Sequence, residues 1–152
     1  SSWTGNIVVK GVMTPEDARL AVEHGADGVF VSNHGGRQFD SQQATIEALP
    51  GVVDAVDGRA AVIVDGGMRR GSDIAKALLL GADAAAAGRP FALGLAAGAQ
   101  PGVDRAFEVL HDELLTVMGF LGVTRIEEMP CTLVDSTGPR LDAAVAAIEA
   151  AQ

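Results

Sequence analysis

Four short apolar runs, each ending in a polar or glycine residue, constrain the fold of this chain more than any other feature. They are Ile7-Val8-Val9 into Lys10-Gly11, Val29-Phe30-Val31 into Ser32-Asn33-His34, Val62-Ile63-Val64 into Asp65-Gly66-Gly67, and the alanines at 84–87 into Gly88-Arg89. Runs that are apolar at every position fit parallel strands covered on both faces, whereas a half-solvated strand alternates. Alanines favour helix when taken alone, so the fourth strand is assigned from its context.

Helical segments alternate with these runs. Thr14 stands as an N-cap with Pro15 at the first helical position, and that helix should reach about His24 and stop at Gly25. Residues 43–55 form a second candidate, Ser72-Asp73 opens a third that ends at Gly81, residues 103–119 carry apolar positions at helical spacing, and 141–151 reads as a terminal helix. An internal echo supports the pattern. "EDARLAVEHGAD" at 16–27 and "SDIAKALLLGAD" at 72–83 share a helix, a glycine stop and an Ala-Asp lead into a strand. The array is α/β, and two architectures accept it: an open doubly wound sheet or a (β/α)₈ barrel. A nucleotide-binding open sheet would carry a G-x-G-x-x-G turn after its first strand, and Lys10-Gly11-Val12-Met13 is not one. A barrel takes about 250 residues, so four β/α units amount to half of one.

Composition removes several function classes. With 20 acidic against 11 basic residues the net charge is −9, which argues against a nucleic-acid surface and its clustered basic footprint. The single cysteine, Cys131, excludes an internal disulfide framework and a cysteine metal cage. No apolar run approaches the roughly 20 residues of a membrane span and no signal peptide opens the sequence, so a soluble cytoplasmic protein without a metal is expected. The opening "SSWTGNIVVKG" enters a strand with no helix or cap before it, which suggests a start that is not a natural N-terminus.

If the strands are parallel neighbours, Lys10, Ser32, His34, Arg37, Asp65, Gly67, Gly88 and Arg89 meet at their C-terminal ends, where barrel enzymes place their active sites. Residues 65–71, "DGGMRRG", offer close backbone approach at two glycines beside Arg69 and Arg70, and "GRPF" at 88–91 adds a guanidinium where a short helix begins. Backbone N–H groups at a helix start bind anions, and arginine adds bidentate charge. Barrels hold phosphate between the loops after strands 7 and 8, which would make the four units strands 5 to 8.

The segment "SNHGGRQ" at 32–38 resembles the active-site signature of FMN-dependent α-hydroxy acid oxidases and dehydrogenases, the family of glycolate oxidase, lactate oxidase, mandelate dehydrogenase and flavocytochrome b2. "VVKG" at 8–11, "DGGMRRGSDIAKALLLGA" at 65–82 and "GRPF" at 88–91 match the same family in order, over roughly residues 7–128. The resemblance implies FMN as cofactor and a small 2-hydroxy acid of the lactate, glycolate or mandelate class as substrate. It implies His34 as the base and Arg37 as the clamp on the substrate carboxylate. Lys10 would lie beside the flavin N1/C2 carbonyl and Ser32 against the ring. Asp65, Gly66, Gly67, Met68, Arg69, Gly88 and Arg89 would bind the ribityl-phosphate, with touching the flavin chain and supporting His34 as the other roles open to Asp65. The chemistry agrees: oxidising such an acid needs an anion anchor, an electron sink and a base, and histidine ordinarily titrates near neutrality.

Family members carry four further units with substrate-binding tyrosines, and this chain has no tyrosine. Residues 1–129 are therefore expected to be the C-terminal half of an FMN-binding barrel, and 130–152 a tail with no motif. An N-terminal half-barrel polypeptide or segment and a homo-oligomer, tetrameric as in the family, are the expected partners. An isolated half would expose two strand edges. Two other readings remain: another FMN- or phosphate-binding barrel enzyme, which would not need the His34/Arg37 pair, and a half-barrel binding module without catalysis.

Overall fold

A computed structural model describes residues 3–129; the expected helix at 141–151, the rest of the 130–152 tail and Cys131 lie outside them. Strands β1 Val8–Val12, β2 Gly28–Val31, β3 Ala61–Val64 and β4 Ala84–Ala85 alternate with helices α1 Pro15–Glu23, α2 Thr45–Val56 and α3 Gly71–Leu79, and α4 Arg89–Leu121 follows. All pairings are parallel, and the spatial order β1-β2-β3-β4 is the chain order. A doubly wound sheet reverses its order at a switch point; these strands do not. The fourth apolar run pairs only over Ala84 and Ala85, opposite Ile63 and Val64, a short strand for a run lacking branched side chains.

Register separates the two faces of the sheet. Val29, Val31, Val62 and Val64 are buried in one cluster with Ala18 of α1, Leu49, Val52 and Val56 of α2, and Ala77 of α3. All three helices therefore cover one face. The opposite face carries the row Lys10, Phe30, Ile63 and Ala84, register partners across the four strands. Phe30 and Ile63 there are only half-buried. The expectation of cover on both faces thus holds for one face among the described residues.

The internal echo has a structural cause at the N-terminal ends of the strands. Ile7 donates its backbone N–H to Asp27 Oδ2 at 2.7 Å while Asp27 N–H returns to the Ile7 carbonyl at 2.8 Å. Val62 and Asp83 repeat the exchange at the same two distances. Gly25 and Gly81, at φ of 87° and 97°, end the preceding helices in the left-handed region that glycine adopts without strain.

Local chemistry sets the helix ends. Thr14 Oγ1 accepts from Asp17 N at 3.1 Å, with Pro15 opening α1. Helix α3 begins at Gly71, one residue before the expected Ser72, because the Asp73 carboxylate accepts the N–H groups of Arg69 and Arg70 and caps that turn. Gly71 itself crosses α4 so closely that a Cβ would lie 2.2 Å from Leu114 N. Helix α4 breaks at Gly98 and Ala99, and its two arms fold back until Gly94 and Gly102 touch, a Cβ on Gly94 falling 2.4 Å from the Gly102 carbonyl oxygen. The expected short helix at "GRPF" and the longer one at 103–119 are the two arms.

Candidate functional site

Lys10, Ser32 and Asp65 belong to the same face of the sheet, the one the helices leave open, and they bond to one another. Lys10 Nζ lies 2.6 Å from Asp65 Oδ2 and 3.2 Å from Ser32 Oγ. The same ammonium sits 3.8 Å from the centroid of the Phe30 ring, a cation–π contact. Gly11, at φ 97°, accompanies the shift of register that follows Lys10. Ser32 is buried, and its Oγ also accepts the His34 N–H at 3.2 Å.

The chain after β2 makes an unusual turn. His34, Gly35 and Gly36 are all left-handed, at φ of 57°, 71° and 73°. Glycines do this freely, but for a residue with a Cβ the conformation costs about 1–2 kcal/mol. Asn33 braces the turn: its Oδ1 accepts from Gly35 N at 3.0 Å and its Nδ2 donates to the Gln43 carbonyl at 3.2 Å. The resulting 3₁₀ turn, His34–Gly36, leaves the imidazole exposed. His34 Nδ1 bonds to the carboxamide oxygen of Gln38. That oxygen only accepts, so the neutral tautomer that fits this bond has its hydrogen on Nδ1 and its lone pair on Nε2.

The loop after β3 is built differently. Thr45, buried at the first turn of α2, donates its hydroxyl to the Asp65 carbonyl and lies 3.3 Å from the Gly66 carbonyl oxygen. Gly66 and Gly67 are left-handed at φ 90° and 81°, and a Cβ on Gly66 would fall 2.7 Å from Thr45 Oγ1. Asp65 keeps one carboxylate oxygen, Oδ1, buried with no hydrogen-bond partner among the described residues.

These loops enclose a cavity of about 320 Å³. His34, Arg37, Asp65, Gly66, Gly67, Met68, Arg69, Gly88 and Arg89 all line it, as expected from the sequence. Lys10 and Ser32 do not; they reach it through Asp65 and the His34 backbone. Arg37, Arg69 and Arg89 form no ion pair among the described residues, while the single carboxylate in the lining is engaged by Lys10. In a chain of net charge −9 this cavity is a cationic recess suited to anions. Arg70, the other guanidinium of "DGGMRRG", turns away to Glu113 of α4 at 2.7 Å. The hydrogen bond from Arg70, with the Gly71 N–H second, holds the Glu113 carboxyl below the usual carboxylate range, and the same bond raises the Arg70 guanidinium. Among the described residues no group of three His, Cys, Asp or Glu side chains is placed to hold a metal ion.

Sequence reasoning missed four contributors. Gln38 was visible inside the motif, but nothing marked it as the partner of an imidazole. Asn33, next to His34, has the type expected of a turn brace. Thr45 and Glu113 act across 20 and 42 residues of chain, and no local pattern reveals such contacts.

The family model described as FMN-dependent dehydrogenase matches residues 1–136. This chain belongs to that family. An L-lactate oxidase of Lysinibacillus sphaericus is 49% identical over 87% of this chain and 34% of its own length. A mouse 2-hydroxyacid oxidase 1 is 47% identical over 84% of this chain and 35% of its own length. A crystal structure of mandelate oxidase with benzoylformic acid superposes with a TM-score of 0.78 at 47% identity, covering 80% of this chain and 36% of that one. The chain thus spans about a third of the length of the relatives it matches. Among the described residues, no helix is long and apolar enough to cross a membrane.

Proposed function

We propose that residues 1–129 are strands 5 to 8 of an FMN-binding (β/α)₈ barrel, with 130–152 a tail to it. A further segment carrying the other four units completes the barrel. In the completed protein the reaction is oxidation of an L-2-hydroxy acid to the 2-oxo acid. The observation that carries this reading is the 320 Å³ cavity, where the His34 imidazole converges with three guanidiniums that form no ion pair among the described residues.

The donor set fits FMN. Arg69, Arg89 and the backbone at Gly67 and Gly88 suit a phosphate dianion. The orphaned Asp65 Oδ1 suits a hydroxyl donor such as a ribityl group. Lys10, fixed by Asp65 and Phe30, supplies positive charge beside the inner face. When bound, FMN supplies acceptance of the two electrons that leave the substrate. Arg37 holds the carboxylate through its planar fork. His34 Nε2 takes a proton from the substrate, and Gln38 keeps the ring in the tautomer that leaves this atom open. Mandelate, lactate and glycolate share this carboxylate and hydroxyl and differ only in the side group.

The test joins this chain to the units that complete the barrel and loads FMN. Anaerobic bleaching of the flavin absorbance by lactate, glycolate or mandelate is the expected result. Tight FMN binding with no bleaching by any hydroxy acid would overturn the catalytic reading and leave a binding module.

A further inference from the structure

Thr45 lies in the β/α unit before the loop it touches and does not line the 320 Å³ cavity, yet its hydroxyl meets two of that loop's carbonyls. Its hydroxyl donates to the Asp65 carbonyl and lies 3.3 Å from that of Gly66. A trans peptide is planar, with N–H opposite C=O. Two successive carbonyls turned toward Thr45 therefore turn the N–H groups of Gly66 and Gly67 the other way, to the side of the cavity both residues line. Neither N–H has a hydrogen-bond partner among the described residues. Successive N–H groups aimed into one concavity are an anion-binding nest, and the guanidiniums of Arg69 and Arg89 line the same recess.

Larger side chains in place of Thr45 fail on the same geometry. The hydroxyl is only 2.7 Å from where a Gly66 Cβ would stand, so the contact requires a small donor on α2 and a glycine on the loop together. Thr45 is itself 2% exposed, and without its hydroxyl the two carbonyls have no hydrogen-bond donor among the described residues. Such carbonyls regain partners by rotating their peptides, which would carry the N–H groups out of the cavity.

We infer that Thr45 is a positioning residue for the phosphate end of the cofactor, its hydroxyl aiming the Gly66 and Gly67 amides at the anion without touching it. The inference rests on the FMN reading above. Riboflavin, which lacks the phosphate, separates the two. In the complete protein, the dissociation constants of FMN and riboflavin are measured by flavin fluorescence for the unaltered protein and for Thr45→Val, Thr45→Ala and Thr45→Ser. Valine keeps the shape, alanine removes both hydroxyl and methyl, and serine restores the hydroxyl. The expected result is a loss of about tenfold or more in FMN affinity for Thr45→Val and Thr45→Ala, with riboflavin weakened by no more than about threefold and Thr45→Ser close to the unaltered protein. Thermal melts identify any variant that has not folded, and the alanine–serine pair decides the matter if valine does not fold. Equal losses of FMN and riboflavin, or a serine variant as weak as alanine, would overturn the positioning role. Failure of the unaltered protein to bind FMN would instead overturn the cofactor reading.

Discussion

The two ends of the sheet use the same residue types for opposite purposes. At the N-terminal ends, Asp27 and Asp83 each exchange two hydrogen bonds with the strand beside them, in the same geometry twice over. At the C-terminal ends, Asp65 spends one oxygen on Lys10, and its other oxygen is buried with no partner among the described residues. There, too, a histidine is held left-handed, and among the described residues two glycine amides are unclaimed and three guanidiniums lack counter-ions. One end satisfies its polar groups and repeats. The other leaves polar groups open and does not repeat, as a surface that awaits a ligand must.

Substitutions at the two ends should therefore read out in different measurements. The largest effect is expected for His34→Ala in the completed protein: flavin reduction by substrate slowed about 10²–10⁴-fold, with FMN still bound. An unchanged reduction rate would remove His34 as the base. Next, Arg69→Ala and Arg89→Ala should each weaken FMN about tenfold or more and riboflavin far less, by fluorescence titration. At the other end, Asp27→Ala or Asp83→Ala should cost about 1–2 kcal/mol in denaturant unfolding and leave FMN affinity unchanged. A shift in affinity would show that the two ends are coupled.

His34→Gly sharpens the contrast inside one residue. Relief of the left-handed strain should raise stability by about 1 kcal/mol while abolishing turnover; a fall in stability would mean that the imidazole contributes more through Gln38 than its backbone costs. The smallest effect belongs to Glu113. Its carboxyl is depressed when folded, so the pair with Arg70 contributes fully above the unfolded carboxylate value of about 4.3. That contribution is lost as pH falls through the lower folded value. Glu113→Gln should flatten this acid limb of the melting temperature against pH and change nothing near neutrality in its slope.

Much of this was legible in the sequence because strands in a parallel array announce themselves locally. Each apolar run reads as a strand, and the residue that ends it falls at the C-terminal face without further knowledge. That is why His34, Arg37, Asp65, Arg69 and Arg89 come together as expected. What stayed hidden depends on distance along the chain or on backbone sign. Arg70 looks like its neighbour Arg69 in "DGGMRRG", and only Glu113 on a remote helix draws it away. His34 carries no mark of its positive φ, since the two glycines beside it suffice on paper to make the turn. The fourth strand illustrates a third limit: alanines give pairing no side-chain signal, and only two of them join the sheet.

The row Lys10, Phe30, Ile63 and Ala84 across the open face has a consequence for shape. Side-chain volume falls from Phe30 through Ile63 to Ala84. Interiors fill to near-crystalline density, so whatever closes over this face must taper the opposite way, with small groups above Phe30 and bulky ones above Ala84. A cover of uniform thickness would leave a void above Ala84.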